Sequence, residues 1–255
     1  MLRIYLMTAP EEIRHAQQHR LPLAYTGYRI GAGSALMRQN VILSSPQGGI
    51  LCISDQNAPF IDDPDALCAA AIRECDRRNY DGVLLNFFAP PSQDRLTFAA
   101  RLARALAVSS RRLYAPEEYA AAIPDAIVLL GTALSGGTLE EHLQEAAERW
   151  GCERLALTAE RTRMQFSLPC PSGIGTHLRA AELRQLTERE SPSVFFSPEL
   201  CARYFTYCEN GKTQFVLFDD AGTLKEKLRL GQQFGLSTAF FDWAEVCDIA
   251  KELFA

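Results

Sequence analysis

The sequence predicts an α/β protein, a (β/α)8 TIM-type barrel with a small insertion containing a β-hairpin between strands seven and eight. Three observations carry this reading. From residue 2 to residue 158, short apolar runs alternate with segments whose apolar residues recur at helical spacing, as in parallel α/β chains. The stretch Tyr80-Asp81-Gly82-Val83-Leu84-Leu85-Asn86-Phe87-Phe88 is apolar almost throughout, the mark of a strand buried on both faces. At 255 residues the chain has the length of barrels that form one domain, taken as 1–255.

The elements follow in order. A first strand is expected over 2–7, and Thr8-Ala9-Pro10-Glu11 starts a helix by a capping-box pattern. A second strand spans 21–26. A hairpin pattern over 41–54, turning at Pro46-Gln47-Gly48-Gly49, supplies the third barrel strand at 50–54. Asp63-Pro64-Asp65 opens the next helix, with Asp as cap and Pro at the first helical position. That helix leads into the strand at 80–88, the fourth. Leu96, Ala99, Leu102, Ala103 and Leu106 share one helical face over 95–107. A fifth strand at 112–115, a helix opened by Pro116-Glu117-Glu118 and a sixth strand at 126–130 come next. Thr138-Leu139-Glu140-Glu141 is a capping box, so a helix runs to 150 before a seventh strand at 154–158.

Near residue 162 the alternation breaks, and 162–220 reads as an insertion within the barrel. It holds extended pieces at 164–167 and 195–196 and a charged amphipathic helix at 177–189. Two further extended arms, 203–208 and 214–218, flank Asn210-Gly211, and Asn-Gly is the strongest short hairpin signal. A helix at 221–234, a last strand at 237–241 and a helix at 244–254 complete the chain.

Composition excludes several classes. A net charge of −5, with Lys/Arg runs no longer than Arg77-Arg78 and Arg111-Arg112, argues against a nucleic-acid partner. The eight cysteines form no Cys-x-x-Cys pair, and Cys52 sits in an apolar run, as buried free thiols do. The first residues hold too short an apolar stretch for an export signal, and no window approaches a membrane span. A cytoplasmic protein is therefore expected. His15 and His19 have metal-pair spacing without a carboxylate partner, so no metal is expected. Gly31-Ala32-Gly33-Ser34 lacks the full dinucleotide spacing, so no cofactor is expected.

The front of strand four resembles the signature Asp-Gly-x-Asp-x-Asp-x-Glu of glycoside hydrolase family 18, the chitinase-like barrels. Asp81 and Gly82 match it, while Leu84, Asn86 and Phe88 stand where the family has two further Asp residues and its catalytic Glu. A second stretch is similar in order and spacing to the C-terminal part of the bacterial family 18 proteins tied to spore cortex peptidoglycan. It runs from Tyr204-Phe205-Thr206-Tyr207 through Asn210-Gly211-Lys212 and Phe215-Val216-Leu217-Phe218-Asp219-Asp220-Ala221 to Gly235-Leu236. The resemblance implies hydrolysis assisted by the substrate's own N-acetyl group. A Glu ending strand four would protonate the leaving oxygen, and a neighbouring Asp would hold the acetamido group.

Residues two apart on a strand share a face, so Leu84, Asn86 and Phe88 would share one, and the resemblance implies that this face looks into the barrel. Phe88 has no proton to give and Leu84 no charge, whereas Asn86 still offers hydrogen bonds to an acetamido oxygen. The expectation is a catalytically inactive chitinase-like barrel acting as a carbohydrate-binding or protein-interaction module. Its partner would be an amino-sugar glycan, a peptidoglycan fragment or a protein, and its ligand-binding residues Tyr25, Asn86, Phe88 and Trp243. Phe88 is expected to pack against Phe241 or Trp243 and close the deepest part of the site. The alternative is an active hydrolase with its acid relocated to Glu160 or Asp242, after strands seven and eight. Asp242 also reads as a helix cap, Glu117 and Glu118 as helix-start acids, and Asp55 as a turn residue. Trp243 stands one step from the family's strand-eight Trp, and one step in a strand reverses the face.

Overall fold

A computed structural model describes residues 2–39, 48–58, 60–133 and 137–255. Eight parallel strands close on themselves: β1 (Arg3–Thr8), β2 (Leu23–Ile30), β3 (Ile50–Ser54), β4 (Gly82–Asn86), β5 (Arg112–Pro116), β6 (Ala126–Gly131), β7 (Leu155–Thr158) and β8 (Thr238–Asp242). Each pairs with its neighbour in sequence, and β8 returns to β1 with Tyr5 opposite Phe240 and Met7 opposite Asp242. This is the (β/α)8 barrel. The first arm of the hairpin expected over 41–54 lies largely outside the described residues. β2 continues past its expected end at 26 and pairs antiparallel with a short strand, Leu36–Arg38, by way of a turn at Gly33, whose φ is 62°.

Strand alternation sorts the apolar side chains into two layers. Tyr5, Ala24, Ile50, Cys52, Leu84, Tyr114, Ile127, Ala156 and Phe240 point inward and fill the barrel. Phe240 stacks on Tyr5 with ring centroids 5.3 Å apart and meets Tyr114 edge-on at 5.0 Å, so aromatic rings close the barrel across its middle. The outward residues, among them Leu51, Ile53, Val83, Leu85, Leu157 and Phe241, pack under the helices. The Asp81-Gly82 pair has a structural cause. A Cβ on Gly82 would lie 2.4 Å from the Arg112 carbonyl oxygen of the next strand, and Asp81 pairs with Arg3 at 2.8 Å.

Helix starts follow their sequence signals. Asp63 accepts the N–H groups of Asp65 and Ala66 at the head of helix Pro64–Arg78. Thr138 and Glu141 form a reciprocal capping box on helix Leu139–Trp150.

Between β7 and β8 the chain builds a second, antiparallel sheet. Its strand order is Thr176–His177, Arg163–Leu168, Lys212–Phe218, Ala202–Glu209, Phe195–Ser197. Helix Ala180–Glu190 covers one face, placing Leu183 and Leu186 on Phe205 and Val216. Asn210 (φ 51°) and Gly211 (φ 73°) turn the hairpin, with positive φ at both central residues as the tight two-residue turn requires. A long helix, Ala221–Gln233, returns the chain to β8. Among the described residues no helix is long and apolar enough to cross a membrane.

Candidate functional site at the barrel mouth

Barrel chemistry is built where the strands end, because the inward-facing residues and the following loops converge there. At that end a cavity of about 510 Å³ opens. β1 contributes Met7 and β4 contributes Asn86. Glu117 and Glu118 follow β5, Gly131 ends β6, and Thr158 and Glu160 come from β7, while Arg149 reaches in from helix Leu139–Trp150. Among the described residues no aromatic ring lines this cavity.

Of the two acids the sequence proposes, Glu160 lines this cavity and Asp242 does not. Its backbone N–H bonds to Thr132 Oγ1 at 3.1 Å and to the Thr158 carbonyl at 3.0 Å, which fixes the turn after β7. Its carboxylate lies over Gly131, where a Cβ would stand 3.4 Å from Oε2. Desolvation holds this carboxyl above the ordinary range, against the opposing pull of the Ala133 backbone N–H and the Lys227 charge. Lys227 is itself fixed, its Nζ 2.7 Å from Asp219 Oδ2, with both side chains out of solvent. Asp219 also accepts the Thr162 N–H and the Thr223 hydroxyl, each at 2.8 Å. Helix Ala221–Gln233 thereby places a cation behind the wall that carries Glu160.

Asp242 caps helix Trp243–Val246, accepting the Ala244 N–H at 3.0 Å. Desolvation and the Glu245 charge push its carboxyl upward against that hydrogen bond. Glu12, beside it, is raised first by desolvation and next by Asp242. Asp242 is absent from the cavity that Glu160 and Asn86 share. Glu117 pairs with Arg149 at 3.1 Å on the cavity rim.

Three sequence-proposed ligand residues lie elsewhere. Tyr25 is buried outside the barrel because Ala24 takes the inward position. Its ring meets Tyr28 edge-on at 5.4 Å. Trp243 is likewise buried in the outer layer, 5.2 Å from the His19 ring, as the one-residue step from the inward face dictates. Phe88 corrects the expectation of a plug: it is 69% exposed. β4 ends at Asn86, and Phe87 then takes the core position against Phe98 and Tyr119. The Phe88 and Ala89 N–H groups bond to the Asp55 carboxylate, at 2.7 and 3.3 Å, and Phe88 is left on the rim. Phe241, its expected partner, is buried in the outer layer.

Met7 was legible in principle from its parity with Tyr5. Arg149, in the last turn of a helix, carried no local signal for the site. Among the described residues no group of three or more His, Cys, Asp or Glu is placed to hold a metal ion. The chemistry available is a carboxyl whose pKa burial raises, an amide that both donates and accepts, and a rim ion pair.

The fold is a closed (β/α)8 barrel, an architecture that solved chitinase structures share. No family model and no curated protein matches the sequence. Solved structures do match by shape. The C-terminal domain of a putative chitinase from Desulfitobacterium hafniense superposes with a TM-score of 0.70 at 13% identity, covering 100% of this chain and 98% of that one. The spore cortex-lytic enzyme SleL of Bacillus megaterium gives 0.66 at 15% identity, over 94% of this chain and 70% of that one. A family 18 chitinase from Cycas revoluta in complex with (GlcNAc)3 gives 0.66 at 13% identity, over 98% of each chain. Likeness at such identities speaks for architecture, and function rests on the site.

Proposed function

We propose that this barrel binds an N-acetylated amino-sugar fragment, from a chitin-like or peptidoglycan-like glycan, at its mouth, without hydrolysing it by the family's strand-four acid. The observation that carries this is the end of β4. It brings Asn86 to the cavity and no carboxylate, and residue 88 is a phenylalanine on the exposed rim. An amide can hydrogen-bond an acetamido group but cannot protonate a glycosidic oxygen. Support for the ligand class comes from the shared architecture, which in the Cycas revoluta enzyme holds (GlcNAc)3. Calorimetric titration of the chain with (GlcNAc)3 is expected to show saturable binding that Asn86→Ala weakens at least tenfold, with no turnover of (GlcNAc)4 or peptidoglycan fragments. Absence of binding would remove the reading.

One observation favours a second reading, a hydrolase using Glu160. Its carboxyl shares the cavity with Asn86 and is raised toward the range a general acid needs. Turnover of (GlcNAc)4 by the wild type, lost in Glu160→Gln and retained in Asp242→Asn, would establish it.

A further inference from the structure

The barrel has a second cavity at its opposite end, where the strands begin. It measures about 540 Å³, within the range of small-molecule sites. Tyr5 forms part of its floor. The residue is only 2% exposed, and its hydroxyl has no hydrogen-bond partner among the described residues. Burial pushes this phenol far above its ordinary pKa, so the group remains a donor. The hydroxyl is open to the cavity and not sealed in the core, so a group that enters there can accept its hydrogen bond.

The rest of the lining has the same character. Arg3 pairs with Asp81 at 2.8 Å, and Arg111 pairs with Asp76 at 2.5 Å. Arg112 lines the cavity with no ion pair among the described residues. Ser110 and Ser237 bring hydroxyls to the rim. Among the described residues the one carboxylate in the lining, Asp81, is engaged by Arg3, so donors and the Arg112 charge remain. The mouth has the opposite balance, with Glu117, Glu118 and Glu160 against Arg149. Phe240, packed on Tyr5 and Tyr114, stands between the two cavities.

We propose that the cavity at the base of the barrel binds a small ligand through a tetrahedral oxyanion, as free phosphate or a phosphate monoester, with Arg112 supplying the charge and the Tyr5 hydroxyl donating from the floor. A phosphate group accepts several hydrogen bonds and favours guanidinium partners. The volume leaves room for a small organic group beyond it.

The test is calorimetric titration of the intact chain with inorganic phosphate and, separately, with glycerol 1-phosphate, at constant ionic strength set by chloride. Saturable one-to-one binding is expected, weakened about tenfold or more by Arg112→Gln and several-fold by Tyr5→Phe. Tighter binding of glycerol 1-phosphate would identify the monoester as the ligand, and equal binding free phosphate. Arg112 is exposed, so its variant is expected to fold. Tyr5→Phe gives an independent check, because loss of a hydroxyl that takes no part in binding would leave the phosphate titration unchanged. That outcome, or no saturable heat from either probe, would overturn the proposal.

Discussion

Asp55 and Arg95 form a buried ion pair, with Arg95 Nε 3.0 Å from Asp55 Oδ2, and the same carboxylate holds the backbone of Phe88 at 2.7 Å. Arg95 Nη2 also donates to the Ala58 carbonyl at 2.7 Å. One side-chain pair thus ties the loop after β3, the loop after β4 and helix Gln93–Val108 together at the barrel mouth. Both side chains are almost wholly out of solvent. Removing one partner strands the other charge, which costs about 3–5 kcal/mol. Asp55→Ala should therefore lose stability on that scale in urea unfolding and loosen the loop that carries Phe88. A loss under about 1 kcal/mol would show that the pair does not hold the mouth.

Gly82 is held by the neighbouring strand. A methyl group added there would come within 2.4 Å of the Arg112 carbonyl oxygen, and no side chain can swing aside, since the obstacle is backbone. Gly82→Ala must separate β4 from β5 or break their register. The expected cost is about 2 kcal/mol or more, in the range of overpacked cores. Equilibrium unfolding measures it, and a neutral substitution would contradict the close approach.

The buried Lys227–Asp219 pair bears on the pH behaviour of Glu160. The folded state raises the Glu160 carboxyl above its ordinary value of 4.5, so the folded chain binds the proton more tightly than the unfolded chain. Stability contributed by this group is then present in acid and declines as pH rises from that value through the folded pKa. Glu160→Gln removes the titration. The variant should therefore gain stability relative to wild type as pH rises through the carboxylate range toward neutrality, and show no such gain in stronger acid. Lys227 opposes the rise, so Lys227→Met should move the Glu160 titration further upward by carboxyl-resonance NMR, besides costing stability by stranding Asp219. A downward move would contradict the assigned role of Lys227.

Much of the architecture was legible because periodicity reports burial. The run around Val83-Leu84-Leu85 is a two-sided buried strand, and Asn210-Gly211 turns a hairpin, as local chemistry requires. The five-stranded sheet was harder to read. Arg163–Leu168 pairs with Lys212–Phe218 across some fifty residues, and no local signal encodes such a partner. The site was legible only where strand parity reached it. Parity places Asn86 at the mouth, but it says nothing of Phe88, which stands beyond the end of β4 and follows the Asp55 carboxylate instead. Tyr25 fails for a related reason: Ala24 holds the inward position, which turns Tyr25 to the outer layer. The pairing of Asp55 with Arg95 joins residues forty apart, so a composition typical of turns hid a buried anchor.

The exposure of Phe88 changes what its replacement by glutamate should do. A ring inside the barrel would contribute a few kcal/mol, and Phe88→Glu would lower the melting temperature sharply. On the rim it contributes little packing, and a carboxylate there remains solvated. The expected stability change is within about 0.5 kcal/mol, as at ordinary surface positions. Its backbone N–H is held by Asp55 whatever the side chain, so the loop should keep its path. The new acid would stand on the rim, outside the cavity that Asn86 and Glu160 share, with no neighbouring Asp on β4. Phe88→Glu alone is therefore expected to melt like wild type and to show no turnover of (GlcNAc)4. A drop in melting temperature of ten degrees or so would argue that the ring is buried in solution. Appearance of hydrolysis would mean that the loop swings residue 88 into the cavity when sugar binds.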